Sequence, residues 1–181
     1  MKKLLHVVPL VLLFCFTIAC QDKAAKAELE KFRAQAALEE QNKEIIKRYV
    51  EEEAKGNLLR IIDEIVAPDV VYHYPNNNNV RGLEAIKQAG PVFSKAFPDL
   101  KVIIELQIAK GDLVAARFRF NATHKGEWMG IAPTGKELSY TANEIARISN
   151  GKIAEAWIEL DQLGFVEQLG MELKPIAAKK K

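Results

Sequence analysis

The chain has 181 residues, which suits one domain of ordinary size with a real core. Its formal charge is +2, and removal of an N-terminal segment carrying Lys2 and Lys3 would bring it to 0, so there is no electrostatic case for nucleic-acid binding. Both cysteines, Cys15 and Cys20, lie near the N-terminus, so the rest of the chain has no thiol for a disulfide, a zinc-cysteine site or a cysteine nucleophile.

Met1-Lys2-Lys3 is a basic start, and Leu4 to Ile18 is an apolar run interrupted by His6 and Pro9. That run is too short and too interrupted for a comfortable membrane span and reads as a signal peptide. Thr17-Ile18-Ala19-Cys20 looks like a bacterial lipobox, with small Ala19 before the cysteine and Thr17 where leucine is usual. The expectation is a cut after Ala19, Cys20 as the lipid-attachment residue, and a membrane lipid anchor of several acyl chains, each buried methylene adding roughly 0.8 kcal/mol. Gln21 follows Cys20, so no aspartate there argues for inner-membrane retention and the outer membrane is favoured. An ordinary secretory signal with a chance cysteine is the alternative.

Residues 20–43 are rich in Ala, Glu, Lys and Gln, without Gly or Pro, and carry a thin apolar stripe of Leu29, Phe32 and Ala36. They predict a helical stalk, with the domain over 44–172 and a basic tail over 173–181. Ile45, Ile46, Tyr49 and Val50 continue at helical spacing until Gly56-Asn57. Leu58 to Val66 predicts a second helix, Val70 to Tyr74 a strand, Asn76 to Asn79 a polar loop, and Gly82 to Ala96 a third helix in which Pro91 can kink the chain. Leu100 to Ala109, Leu113 to His124, Glu137 to Ser149 and Lys152 to Asp161 predict strands, and Gln162 to Leu169 a last helix. Asn150-Gly151 is a strong two-residue hairpin signal. Helices followed by a run of antiparallel strands define an α+β class.

If Asn150 and Gly151 form the loop, Ser149 faces Lys152 and the register follows. Tyr140, Glu144, Trp157, Glu159 and Asp161 then share one face, and Ala154, Ala156, Ile158 and Leu160 the other. Either the acidic face is solvated over an alanine and leucine core, or helices cover the tyrosine and tryptophan and leave an acid-lined cavity. A one-residue slip would undo this arrangement. His124 reads as a pocket group or a strand-end cap, His73 as a ligand contact or a packed strand residue, and Glu127-Trp128 as a lid or a plain turn.

The chain resembles the SnoaL-like polyketide cyclase, or ester cyclase, family of the cystatin-like α+β cone fold. The resemblance rests on Ala67-Pro68-Asp69-Val70-Val71 with His73, Phe97-Pro98-Asp99-Leu100, Thr123-His124-x-Gly126 and Pro133-Thr134-Gly135-Lys136. Arg147-Ile148, Gly151-Lys152-Ile153, Glu155-x-Trp157-x-x-x-Asp161 and Gln168-Leu169-Gly170 extend it. It implies a curved antiparallel sheet wrapped around helices, a pocket between them, frequent homodimers, and chemistry that needs no metal or cofactor. It also implies an aspartate at the end of the last strand that moves protons, matched by Asp161, helped by a pocket histidine, His124 or His73. Tyr140, Glu144, Trp157 and Glu159 would line the substrate site. Ala132 departs from the family, where a second proline is common, and so does the lipoprotein signal, since polyketide intermediates are made in the cytoplasm.

Three functions are therefore open. One is a cofactor-free cyclase, isomerase or lyase acting on a small apolar carbonyl compound or ester, with Asp161 as acid and base. The second is an envelope lipoprotein that holds a small hydrophobic ligand without chemistry. The third is a structural envelope module that contacts another protein.

Overall fold

The computed structural model describes residues 7–75 and 78–172, with side chains from residue 23 onward. The basic tail expected over 173–181 lies outside the described residues. The chain divides after Leu38 into two units. The first is helical, and its stripe residues Leu29 and Phe32 are exposed. Among the described residues no helix is long and apolar enough to cross a membrane.

The second unit begins within α1 (Val7–Ala54) and continues through α2 (Leu58–Ile65), β1 (Val66–His73), β2 (Asn79–Arg81) and α3 (Leu83–Ala96). It then runs through β3 (Lys101–Lys110), β4 (Leu113–Thr123), β5 (Glu137–Ser149), β6 (Lys152–Leu160) and α4 (Gln162–Leu169). The α+β class and the curved sheet against N-terminal helices are as expected. α1 runs unbroken across the expected stalk boundary, and α3 passes through Pro91 without ending.

The six strands lie in the order β2-β1-β6-β5-β4-β3. Every neighbour is antiparallel except β1 and β6, which run parallel, with Tyr72 beside Ala156 and His73 beside Trp157. The expected all-antiparallel sheet is thus corrected at one junction. The helical connections return the chain so that its first strand lies beside its last. β2, which begins at the last residue of the loop expected over Asn76 to Asn79, forms because Val80 and its neighbours pair with Val71 to His73.

One face of the sheet packs on the helices. Ile46 and Val50 of α1, Leu58, Ile62 and Ile65 of α2, and Leu83 and Ile86 of α3 are buried with Val70, Val114, Phe118, Ile148 and Ile153. Burying side chains of this size stabilises by about 1.5–3 kcal/mol each. α1 is tied to the β3–β4 turn: buried Asn42 donates to the Gly111 carbonyl at 3.0 Å, and Glu39 accepts the Gly111 N–H at 2.8 Å. A second apolar group joins Ala96, Phe97 and Leu100 to Leu138, Tyr140, Phe165 and Leu169.

Candidate functional site

The β5–β6 turn forms at Asn150 and Gly151, both with positive φ (51° and 74°), as a primed two-residue hairpin requires. Ser149 faces Lys152 and Ile148 faces Ile153, as the sequence predicts. There the expected register ends. A bulge leaves Ala154 without a direct partner, and Arg147 faces Glu155, Ile145 faces Trp157 and Glu144 faces Ile158. One extra residue moves every later β6 side chain to the other face.

The expected acid face is therefore corrected. Tyr140 and Glu144 lie on the inner, helix-covered face, with Ala142, Ala146, Ala156 and Ile158. Trp157 and Glu159 lie on the outer face, and so does His73. Asp161 lies past the end of β6. It is exposed, and its side chain accepts the Gly164 N–H at 2.9 Å as the N-cap of α4.

On the outer face, His73 Nε2 lies 2.9 Å from Glu155 Oε1, and its ring stacks on Trp157 with centroids 5.4 Å apart. Arg147 covers Trp157 at 5.7 Å and bonds Asp112 at 2.8 Å. This is a self-satisfied polar ladder on the half-exposed sheet face.

His124 is fully buried. Its Nδ1 accepts the Thr134 N–H at 3.2 Å and lies 3.1 Å from the Thr134 hydroxyl. In the neutral ring this places the proton on Nε2, which has no partner among the described residues. The His124 backbone bonds Lys136 and Gly135, and its ring lies 5.4 Å from Phe97. It fastens the β4–β5 loop to the second apolar group, where Trp128 packs on Phe93 and Phe97.

The inner face carries a different constellation. All four tyrosines of the chain, Tyr49, Tyr72, Tyr74 and Tyr140, gather with Glu53 and Glu144. α1 supplies Tyr49 and Glu53, one helical turn apart; β1 supplies Tyr72 and the adjoining Tyr74; β5 supplies Tyr140 and Glu144. The rings of Tyr49, Tyr72 and Tyr74 follow one another at 6.4 and 6.3 Å. On the sheet Glu144 is flanked by Ala142 and Ala146 along its strand, and faces Ala116 on β4 and Ile158 on β6.

Burial raises the Glu144 carboxyl from the usual 4.5 to about 7, and the charge of Glu53 adds to this. Burial alone raises Glu53 to about 7. Burial also holds the phenols of Tyr49, Tyr72 and Tyr140 well above their ordinary range, so they stay neutral donors. The Tyr72 side chain is 3% exposed, and its hydroxyl interacts with that of Tyr49. Glu53 also borders a cavity of about 260 Å³ walled by Leu58, Leu59, Ile86, Pro91, Ser94 and Lys95. Two near-neutral carboxyls can give and take protons, and neutral phenols can donate hydrogen bonds, without a metal. Among the described residues no group of acids, histidines or cysteines has metal-ligand geometry.

Sequence reasoning found Tyr140 and Glu144 but missed Glu53, Tyr49, Tyr72 and Tyr74. The available signal was that Tyr49 falls on the inward stripe of α1 and Tyr72 and Tyr140 on the inward phase of strands.

A family model of SnoaL-like polyketide cyclases matches residues 43–169, and the chain belongs to that family. Among solved structures, IdmH of Streptomyces antibioticus, assigned as a polyketide cyclase, is 29% identical, with a TM-score of 0.64 over 72% of this chain and 99% of its own. AclR of Streptomyces galilaeus, assigned as a hydroxylase, is 31% identical, with a TM-score of 0.64 over 71% of this chain and 95% of its own. A protein of Jannaschia sp. CCS1 assigned as a SnoaL-like polyketide cyclase shares the fold at 23% identity, with a TM-score of 0.69 over 75% of this chain and 95% of its own. No curated protein matches the chain.

Proposed function

We propose that the protein is a cofactor-free enzyme of cyclase or isomerase type in which Glu144 moves a proton to and from a small carbonyl substrate. The observation that carries this is the Glu144–Glu53 pair, whose carboxyls burial pushes up to about 7, beside the buried phenol of Tyr72. An ionised Glu144 would take a proton from the carbon next to the carbonyl. A neutral phenol would donate a hydrogen bond to the oxygen as negative charge develops there. Returning the proton at another position completes an isomerisation; alternatively, attack of the carbanion on a second carbonyl of the same molecule closes a ring, and Glu144 returns its proton to the alkoxide so formed. Family membership supports this class of reaction. Asp161, the acid and base that the resemblance implies, is an exposed cap, so the proposal gives the role to Glu144. His124 serves the loop that covers the second apolar group.

The proposal places the protein at the bacterial envelope, held by acyl chains on Cys20, on the strength of the Thr17-Ile18-Ala19-Cys20 sequence. Palmitate incorporation lost in Cys20→Ala supports the anchor, and incorporation retained overturns it. The same location favours a second reading, retention of a small ligand without turnover. Carbon-detected NMR of the glutamate carboxyls tests the chemistry. A Glu144 midpoint near 7 is expected, and an ordinary carboxylate midpoint would sink the acid–base role. Mass spectrometry of what co-purifies from the native envelope, before and after incubation, separates turnover from retention.

A further inference from the structure

α3 is a single helix that serves two cores. Its first half is buried, through Leu83 and Ile86, in the apolar group shared with α1 and α2, and Lys87 ties it to α2 by an ion pair with Asp63 at 2.7 Å. Its C-terminal end belongs to the second apolar group through Ala96 and Phe97, with Phe93 packed against them. There the start of the β4–β5 loop holds it. The Lys125 and Gly126 N–H groups both donate to the Ala96 carbonyl, at 2.8 and 3.1 Å, and Trp128 meets Phe93 edge-on at 5.2 Å. Gly126 sits so close to the backbone of Lys95 and Ala96 that a side chain has no room. Both ends of the helix are pinned, each on a different core.

The turn between them is built differently. Gln88, Ala89 and Val92 are exposed. Gly90 and Pro91 stand together in its middle, and these are the two residue types that weaken a helix interior most. Pro91 has no N–H to give to the Lys87 carbonyl, so one rung of the helix is missing. The same turn borders the cavity of about 260 Å³, which Gly90, Pro91, Ser94 and Lys95 line from α3. Gly56, Leu58 and Leu59 line it from the α1–α2 turn and the start of α2. That side is stitched by backbone hydrogen bonds, from the Gly56 N–H to the Glu53 carbonyl at 2.9 Å and from the Asn57 N–H to the Glu52 carbonyl at 2.8 Å. The α3 side is the wall that can give. A helix held at both ends, short of a hydrogen bond and unpacked in its middle, opens there first.

We infer that the middle turn of α3, hinged at Gly90 and Pro91, opens locally as a gate to the cavity and to the Glu53 side chain that borders it. Of the inner constellation only Glu53 borders this cavity, so the gate commands the way to that acid and not to Glu144 directly. The inference concerns access, and it holds whether or not Glu144 moves a proton.

Two measurements on the full chain test it. Amide exchange followed by NMR, corrected for intrinsic rates, should find Gly90, Val92 and Ser94 exchanging at least about ten-fold faster than Lys87 and Phe97 at the pinned ends. Pro91→Ala restores the missing N–H, and Gly90→Ala adds a methyl group that meets no atom within 4 Å. Both changes favour helix, so both variants should fold. Gly90→Ala should slow exchange in the middle turn about five-fold and Pro91→Ala at least about ten-fold, with Lys87 and Phe97 little changed. Mass-spectrometric footprinting with a water-soluble carbodiimide and an amine then reads the gate. Amidation of Glu53 should fall at least about three-fold in Pro91→Ala, while exposed Glu64 and Glu84 keep their rates. Even protection along α3 would mean a static kink and would overturn the inference. So would a slowing spread over the whole helix in the variants, or amidation of Glu53 that Pro91→Ala leaves unchanged.

Discussion

Replacing Glu144 with Gln should make the protein more stable at pH 8 and leave it nearly unchanged at pH 5. In the unfolded chain a glutamate loses its proton near 4.5, but in the folded chain Glu144 holds it to about 7 because burial and the Glu53 charge oppose ionisation. Below 4.5 both states are protonated and the site costs nothing. Between 4.5 and 7 the native state binds the extra proton, so stability falls as pH rises, and above 7 the whole cost is present. At about 1.4 kcal/mol per pH unit the displacement amounts to about 3 kcal/mol, and solvent reaching the half-buried carboxyl reduces it to about 1–3 kcal/mol. Gln keeps the shape and cannot ionise. At about 3 °C per kcal/mol for a chain of this size, the melting midpoint of Glu144→Gln should exceed the wild type by about 3–9 °C at pH 8. Thermal unfolding of both proteins at pH 5, 6, 7 and 8 reads this directly. A difference that does not change with pH, or a variant less stable than wild type at pH 8, would refute the reasoning.

Gly126→Ala should destabilise by about 1–3 kcal/mol, because its new methyl group would meet the backbone of Lys95 and Ala96, which cannot move aside as a side chain can; an unchanged melting midpoint would contradict the close packing of this loop on the end of α3. Asp161→Ala should cost about 1 kcal/mol through loss of the α4 cap while leaving the Glu144 titration where it was. Movement of that titration would mean that Asp161 faces the inner site after all.

The elements were legible in the sequence because their signals are local. Asn150-Gly151 predicts its own turn, and the last two long strands begin and end within a residue of the expected bounds. What failed was the propagation of register from that turn. A strict two-residue hairpin puts even-numbered residues of β5 opposite odd-numbered residues of β6. Yet Tyr140, Ala142, Ala146 and Ile148 and also Ala156, Ile158 and Leu160 are the apolar sets. Both sets can face the helices only if one residue is skipped, and the bulge at Ala154 skips it. The conflict was visible in the sequence, whereas its resolution depended on the helix-covered face of the sheet. Glu53 was hidden for a related reason. On α1 alone it is one glutamate among Glu51, Glu52 and Glu53, and only the placement of Tyr72, Tyr74 and Glu144 against that turn sets it apart.

The parallel seam between β1 and β6 also decides the order in which this molecule can be completed. β6 lies between β1 and β5, so the β1–β2 pair has no strand to join until residues 152–160 have been made. Its partners are separated by more than eighty residues, and such distant pairings form slowly. During synthesis the β1–β2 pair therefore waits for β6 before it can join the sheet. A chain built this way can be threaded through a narrow channel before it closes, and any truncation that removes β6 should leave its first half without a fold to adopt.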